Sequence, residues 1–183
     1  MNRKSFIAAA AAVLVSLGLA GAPAAQAGPQ SKGANIVDVA IALNTSGPFA
    51  GQFDTLIAAV LAADPAVLQR LSAKRQSTVF APTDAAFEAL DLTPANIATA
   101  LDEATLTQIL LYHVVNGRRD STDVLGSTQL RTLQGGFLKQ ASGVLTDNVG
   151  RTATIGAGVG AVDVPASNGI IHAIDAVVLP FAP

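Results

Sequence analysis

The sequence predicts an α+β fold, on three observations. Apolar residues recur at helical spacing through the first half of the chain, as in Phe53, Leu56, Ile57, Val60 and Leu61. From Val114 onward, short β-rich runs alternate with turns at Asn116-Gly117, Gly135-Gly136, Asp147-Asn148 and Ser167-Asn168-Gly169. The run over 169–179 is apolar on both faces: Ile170, Ile174 and Val178 alternate with Ile171, Val177 and Leu179. Such a strand is expected at the centre of the fold, covered on both sides. Helices first and strands afterwards indicate α+β rather than alternating α/β.

Residues 1–27 are set apart from that fold. Asn2-Arg3-Lys4 gives a positive start, an apolar run follows from Phe6 to Ala20, and Ala25-Gln26-Ala27 has the small-x-small pattern of a signal-peptidase site. The run is short for a membrane helix, and Gly21 and Pro23 follow it directly. A signal peptide cleaved near Ala27 is therefore expected, and with it secretion to the periplasm or the medium. No later stretch is long and apolar enough to span a bilayer. Residues 28–34 are expected to be a flexible lead-in, and 35–183 a single domain. The chain contains no cysteine, so a disulfide framework and thiol chemistry are excluded. Among 183 residues, 11 are basic and 13 acidic, and Arg3 and Lys4 leave with the signal peptide. That balance argues against a nucleic-acid groove. The densest basic segment, Arg70 with Lys74-Arg75, is expected to be a solvated helix end.

The elements follow in order. Asn35 is expected to cap a short helix carrying Ile36, Val39 and Leu43. The stripe from Phe53 to Leu61 forms the next helix. Asp64 caps a third, with Pro65 at its first position and Val67, Leu68 and Leu71 facing inward. Residues 77–81 form a strand ended by Pro82, and Thr83 or Asp84 caps a helix over 85–90. Thr93-Pro94 opens a turn of helix with Ile97 and Leu101 on one face, and a further helix spans 103–113. Strands are expected over 129–133, 137–140, 144–146, 152–155, 160–164 and 169–179.

Residues 78–87, Thr-Val-Phe-Ala-Pro-Thr-Asp-Ala-Ala-Phe, and residues 168–180, Asn-Gly-Ile-Ile-His-Ala-Ile-Asp-Ala-Val-Val-Leu-Pro, resemble the two signature segments of the fasciclin domain. Between them, Leu110-Leu111-Tyr112-His113-Val114-Val115 resembles that family's tyrosine–histidine motif. The resemblance implies a β-sandwich or wedge with helices packed along one side. It also implies an extracellular, non-enzymatic role in cell adhesion or matrix attachment, with some family members binding carotenoids. In this reading Thr78, Phe80, Pro82, Thr83, Asp84 and Phe87 of the first segment, and Gly169, His172, Asp175 and Pro180 of the second, are structural. The partner-binding surface is expected around Tyr112, His113, Asn116, Arg118 and Arg119; the single tyrosine is either an interface anchor or a seal of the core edge with its hydroxyl at the rim.

The residues themselves offer little catalytic chemistry. His113 and His172 are the only histidines, each on an apolar face, and His172 and Asp175 point to opposite sides of an extended strand. No metal site is expected. There is no Gly-x-Ser-x-Gly elbow and no phosphate-cradling glycine loop. Two functions from different classes follow. The first is an attachment module for a cell-surface or matrix protein or polysaccharide, needing no cofactor. The second is a carrier of a carotenoid or other apolar ligand, in a groove lined by Phe137, Leu138, Val144, Leu145, Ile155 and Val159, residues that in the alternative reading are plain sandwich core.

Overall fold

A computed structural model describes residues 33–156 and 160–181. The expected signal peptide, most of the lead-in and Val159 lie outside the described residues. Helices α1 (Ile36–Thr45), α2 (Asp54–Ala62) and α3 (Pro65–Ser72) precede strand β1 (Ser77–Pro82). Helices α4 (Asp84–Glu88), α5 (Ile97–Ala100) and α6 (Glu103–Tyr112) follow, then β2 (Val114–Asn116) and α7 (Ser121–Leu125). The remaining strands are β3 (Gln129–Arg131), β4 (Phe137–Ala141), β5 (Val144–Thr146), β6 (Thr152–Thr154), β7 (Val164–Ala166) and β8 (Gly169–Ile174). The α+β class expected from the sequence is the class observed. Among the described residues, no single helix is long and apolar enough to cross a membrane.

The strands form two four-stranded sheets, ordered β2-β1-β8-β7 and β3-β4-β5-β6. The two signature segments are each other's strand partners: β1 and β8 run parallel, with Thr78 opposite Ile170 and Phe80 opposite His172. Every residue of both strands is buried, because each face of this sheet is covered. Val79, Ala81, Ile171 and Ala173 face a core built with helices α1 to α6. Phe80 and Ile174 face a second core shared with Leu130, Leu138 and Leu145 of the other sheet. Period-two alternation along two strands therefore fixes three layers. Gly169 is required where the two strands start: a Cβ there would overlap the Ser77 carbonyl oxygen and approach Ile36 Cδ1 to 2.7 Å.

Local capping follows the sequence at the starts of α1 and α3. Asn35 accepts from the Val37 and Asp38 backbone N–H groups, and Asp64 accepts from Ala66. The signature helix α4 differs. Thr83 occupies its N-cap position without a side-chain bond, and the Asp84 carboxylate serves another helix. Its oxygens accept from Asp54 N at 3.1 Å and Thr55 N at 2.8 Å, capping α2. Asp84 thus ties the end of β1 to the helical layer. Asp84→Ala is expected to lower folding stability by about 2 kcal/mol, at the upper end for a lost cap because the bonds are charge-assisted. Urea denaturation measures this, and a loss below about 0.5 kcal/mol contradicts the assignment.

Other expectations shift. Gly33 and Ala34, placed in the flexible lead-in, are tied to Ser167, whose N–H donates to Ala34 O at 2.8 Å and whose hydroxyl reaches Gly33 O at 3.3 Å. The last strand ends at Ile174, not at 179, because Asp175 turns out to accept from Thr154 N at 2.6 Å. Strand β7 spans Val164–Ala166 rather than 160–164, and the β-rich character expected from Val114 onward begins with strand β2, outside the strands expected one by one.

Candidate functional site

Strand β2 leads into a loop at 117–119 that is held from three sides. The Thr78 hydroxyl donates to Gly117 O at 2.8 Å and accepts from Arg119 N at 2.9 Å. The Arg118 guanidinium donates through Nη1 to Ala166 O at 2.9 Å and Gly169 O at 2.8 Å. His172 Nε2 donates to Arg119 O at 3.0 Å. The direction of that last bond follows from the other ring nitrogen: Nδ1 accepts from Asp163 N at 3.2 Å, so the proton sits on Nε2. Thr78, Gly169 and His172, expected as structural residues, thus position the loop expected to bind a partner.

The five residues expected to form that surface divide. Tyr112 is fully buried, with its hydroxyl donating to Phe137 O at 2.7 Å and accepting from Asn148 N at 3.2 Å. Burial pushes the phenol pKa up to about 12. His113 is buried too: Nδ1 donates to Ile109 O at 2.8 Å, and Nε2 accepts from Val178 N at 3.2 Å. Neither side chain is available to a partner in this conformation. The tyrosine is buried because the last turn of α6 points it between the two sheets, where its hydroxyl finds backbone partners. Arg118 is exposed, but its guanidinium is spent on the carbonyls just named. Asn116 and Arg119 remain.

These two line a solvent-open cleft of about 490 Å³ together with Arg70, Arg75, Arg131 and Thr132, over a floor that includes Val115 and Leu133. Four guanidinium groups therefore converge from α3, the α3–β1 turn, the clamped loop and β3. Arg70 Nη2 lies 3.4 Å from Asn116 Oδ1, a long contact. Arg70 Nη1 and Arg119 Nε are buried without a hydrogen-bond partner. Burial, with a contribution from the charge of Arg75, pushes the Arg70 pKa down. The sequence placed Arg70 and Arg75 on a solvated helix end. The fold brings Arg119 and Arg131 to them, and no local pattern in the chain reports that meeting.

A second concavity lies among α1, α2 and α3. Its walls are apolar, with Ile41 46% and Leu61 71% exposed at the mouth, and Ile36, Leu56, Leu68 and Leu110 deeper. Its volume is about 120 Å³. The residues of the second half that were expected either to line a ligand groove or to form plain sandwich core do not share one open surface. Leu138 and Leu145 are fully buried between the sheets, and Phe137 is exposed to solvent. Alternation along β4 separates them.

Ser121, Asp163 and His172 also meet, but not as a nucleophile and base. The Ser121 hydroxyl donates to Asp163 Oδ2, and both ring nitrogens of His172 are engaged by backbone groups. Among the described residues, no three His, Asp or Glu side chains cluster as a metal site.

The fasciclin domain matches residues 51–180 of the chain. Protein sll1483 of Synechocystis sp. is 42% identical over 135 residues, covering 70% of this chain and 67% of that protein. Immunogenic protein MPT70 of Mycobacterium tuberculosis is 36% identical over 107 residues, covering 57% of this chain and 50% of its own length. Among solved structures, a FAS1 domain pair from the insect cell adhesion molecule fasciclin I is similar, with a TM-score of 0.60 at 19% identity. That likeness covers 80% of this chain and 51% of the other, and it is one of fold.

Proposed function

We propose that this chain, which belongs to the fasciclin domain family, is an exported, non-enzymatic module that attaches a cell surface or matrix through the cleft bordered by Asn116 and Arg119. The observation that carries this reading is the clamped loop. Thr78 and His172 fix both backbone groups of Arg119, and the Arg118 side chain ties the loop to Ala166 and Gly169, so the cleft is preorganised. Holding a binding surface rigid before the partner arrives lowers the entropy lost on attachment. The similarity in fold to a cell adhesion molecule supports the same reading. Export follows from the positive, apolar and small-residue pattern over 1–27, with cleavage near Ala27.

Retention on cell-surface or extracellular material from the producing organism tests the proposal. The mature protein is expected to bind saturably. Arg75→Ala with Arg131→Ala, both at exposed positions, is expected to weaken that binding about tenfold, the loss of roughly one charge-assisted bond. Absence of saturable retention overturns the reading.

The apolar groove supports a second function, carriage of a hydrophobic small molecule. Its volume of about 120 Å³ is below the ~300 Å³ at which drug-sized ligand sites begin. A carotenoid would require α1 and α2 to separate, which ranks carriage second. The chain has one Tyr and no Trp, so a bound pigment would dominate the absorption spectrum of protein purified from its own host. A colourless preparation is expected, and a stoichiometric visible band would reverse the ranking.

A further inference from the structure

We propose that the four-arginine cleft is a binding site for an acidic polysaccharide, with the guanidinium groups of Arg70, Arg75, Arg119 and Arg131 receiving its sulfate or carboxylate groups. The inference rests on the attachment reading and names the class of partner that the same cleft takes.

Three observations carry it. First, no carboxylate among the described residues neutralises the positive charge. All 13 acidic residues lie among the described residues, and none has a carboxylate within salt-bridge distance of these arginines; the one contact in that range is His172 with Asp163. Second, two guanidinium nitrogens, Arg70 Nη1 and Arg119 Nε, are removed from solvent without an acceptor. A buried N–H of a charged group without a partner is unfavourable by an amount comparable to a lost hydrogen bond, and a turn of either guanidinium toward an oxyanion in the cleft would relieve it. Third, burial and Arg75 together disfavour the charged form of Arg70, as expected of cations held together without their counter-ion.

The chemistry of the walls selects among anions. The planar fork of arginine pairs with two oxygens of a sulfate or carboxylate at once. The Asn116 amide is placed to bond hydroxyl groups, and Val115 and Leu133 offer an apolar floor to the C–H face of a sugar ring. A cleft of about 490 Å³ exceeds what a single small ion fills. Nucleic acid fits less well, because no aromatic side chain lines the cleft for base stacking and the chain as a whole is acidic. An acidic peptide adding as a strand is disfavoured as well. The β2 edge beside the cleft is already engaged, with Leu133 N donating to Val114 O at 2.7 Å and Val115 bridged to Thr132.

The test is titration calorimetry of the mature protein at about 50 mM salt, where phosphate- and sulfate-type contacts are strong. The probes are dextran sulfate, polygalacturonate, neutral dextran, polyglutamate, a single-stranded oligonucleotide and sodium sulfate. Dextran sulfate or polygalacturonate is expected to bind, and to lose about tenfold in affinity in the Arg75→Ala/Arg131→Ala variant. The charge-matched control Lys139→Ala/Arg151→Ala lies outside the cleft and is expected to stay within about twofold. Circular dichroism of each variant checks that it is folded. No binding of either acidic polysaccharide, or equal losses in the two double variants, overturns the proposal. Equal affinity for polyglutamate or the oligonucleotide does so too, by assigning the cleft to another macromolecule. Sodium sulfate binding as tightly as the polymers makes the cleft a site for an adventitious ion only. The two readings fail separately. Retention on native material without affinity for acidic polysaccharide leaves attachment standing and removes this inference, and the converse removes attachment.

Discussion

Asn168→Ala is expected to lower folding stability by about 4 kcal/mol, the combined effect of stranding several buried backbone groups. The side chain is buried and makes three bonds to distant elements. Oδ1 accepts from Ile36 N at 2.8 Å at the start of α1. Nδ2 donates to Leu71 O and to Ala73 O, both at 2.7 Å, at the end of α3. One amide therefore satisfies an orphan donor at one helix start and orphan acceptors at another helix end. It also anchors both helices to the turn that opens β8. Alanine leaves all three without a partner in a region water reaches poorly. Asn168→Asp keeps the bond to Ile36 N but turns an acceptor toward two carbonyls, so it is expected to lose a comparable amount. Urea denaturation of both variants measures the effect. A loss below about 1 kcal/mol, the net value of one ordinary hydrogen bond, contradicts the role given to Asn168.

Acidification from pH 7 to pH 4 is expected to remove about 3 kcal/mol of stability through His113. Burial lowers its pKa from 6.5 to about 4, against opposing contributions from the Ile109 carbonyl bond and the charge of Asp147. Its Nε2 accepts from Val178 N, so a second proton has no place without breaking that bond. The unfolded chain binds this proton below about pH 6.5 and the folded chain only near pH 4. Stability is therefore full above pH 6.5, falls as pH drops through that window, and levels off below the folded value. His172 shifts in the same direction, again by burial first, and its neutral tautomer holds Arg119. Unfolding midpoints measured at pH 7 and pH 4 give the slope, and a His113→Gln variant is expected to lose most of it. A wild-type midpoint that stays flat over this interval contradicts the tautomer assignment.

Much of the fold was legible because its signals are local. Val79 and Phe80 before Pro82, and the doubly apolar run beginning at Gly169, announce two buried strands; the structure pairs them directly. Residues 144–146 were placed as observed because a turn bounds them on each side. The misses share a cause. Strand β2 is only three residues long and runs straight into the Asn116-Gly117 turn, too short for alternation to register as a strand. Asp84 sits where a cap for its own helix is expected, yet its partners are 29 and 30 residues away. Asn168 reads as a turn residue, and only the fold supplies Ile36, Leu71 and Ala73. Tyr112 carries no sequence mark that separates an exposed anchor from a buried ring. The arginine cleft is the extreme case, since its four cations come from segments that are adjacent only in the folded chain.

The central claim is that attachment runs through the arginine cleft rather than the apolar groove. Retention on surface material of the producing organism, compared across three proteins, tests it most directly. The wild type and Leu61→Glu, which places a carboxylate at the groove mouth, are expected to bind alike. Arg75→Ala/Arg131→Ala is expected to fall about tenfold below both. Full retention by the arginine variant together with loss in Leu61→Glu would contradict the account and move the function to the groove.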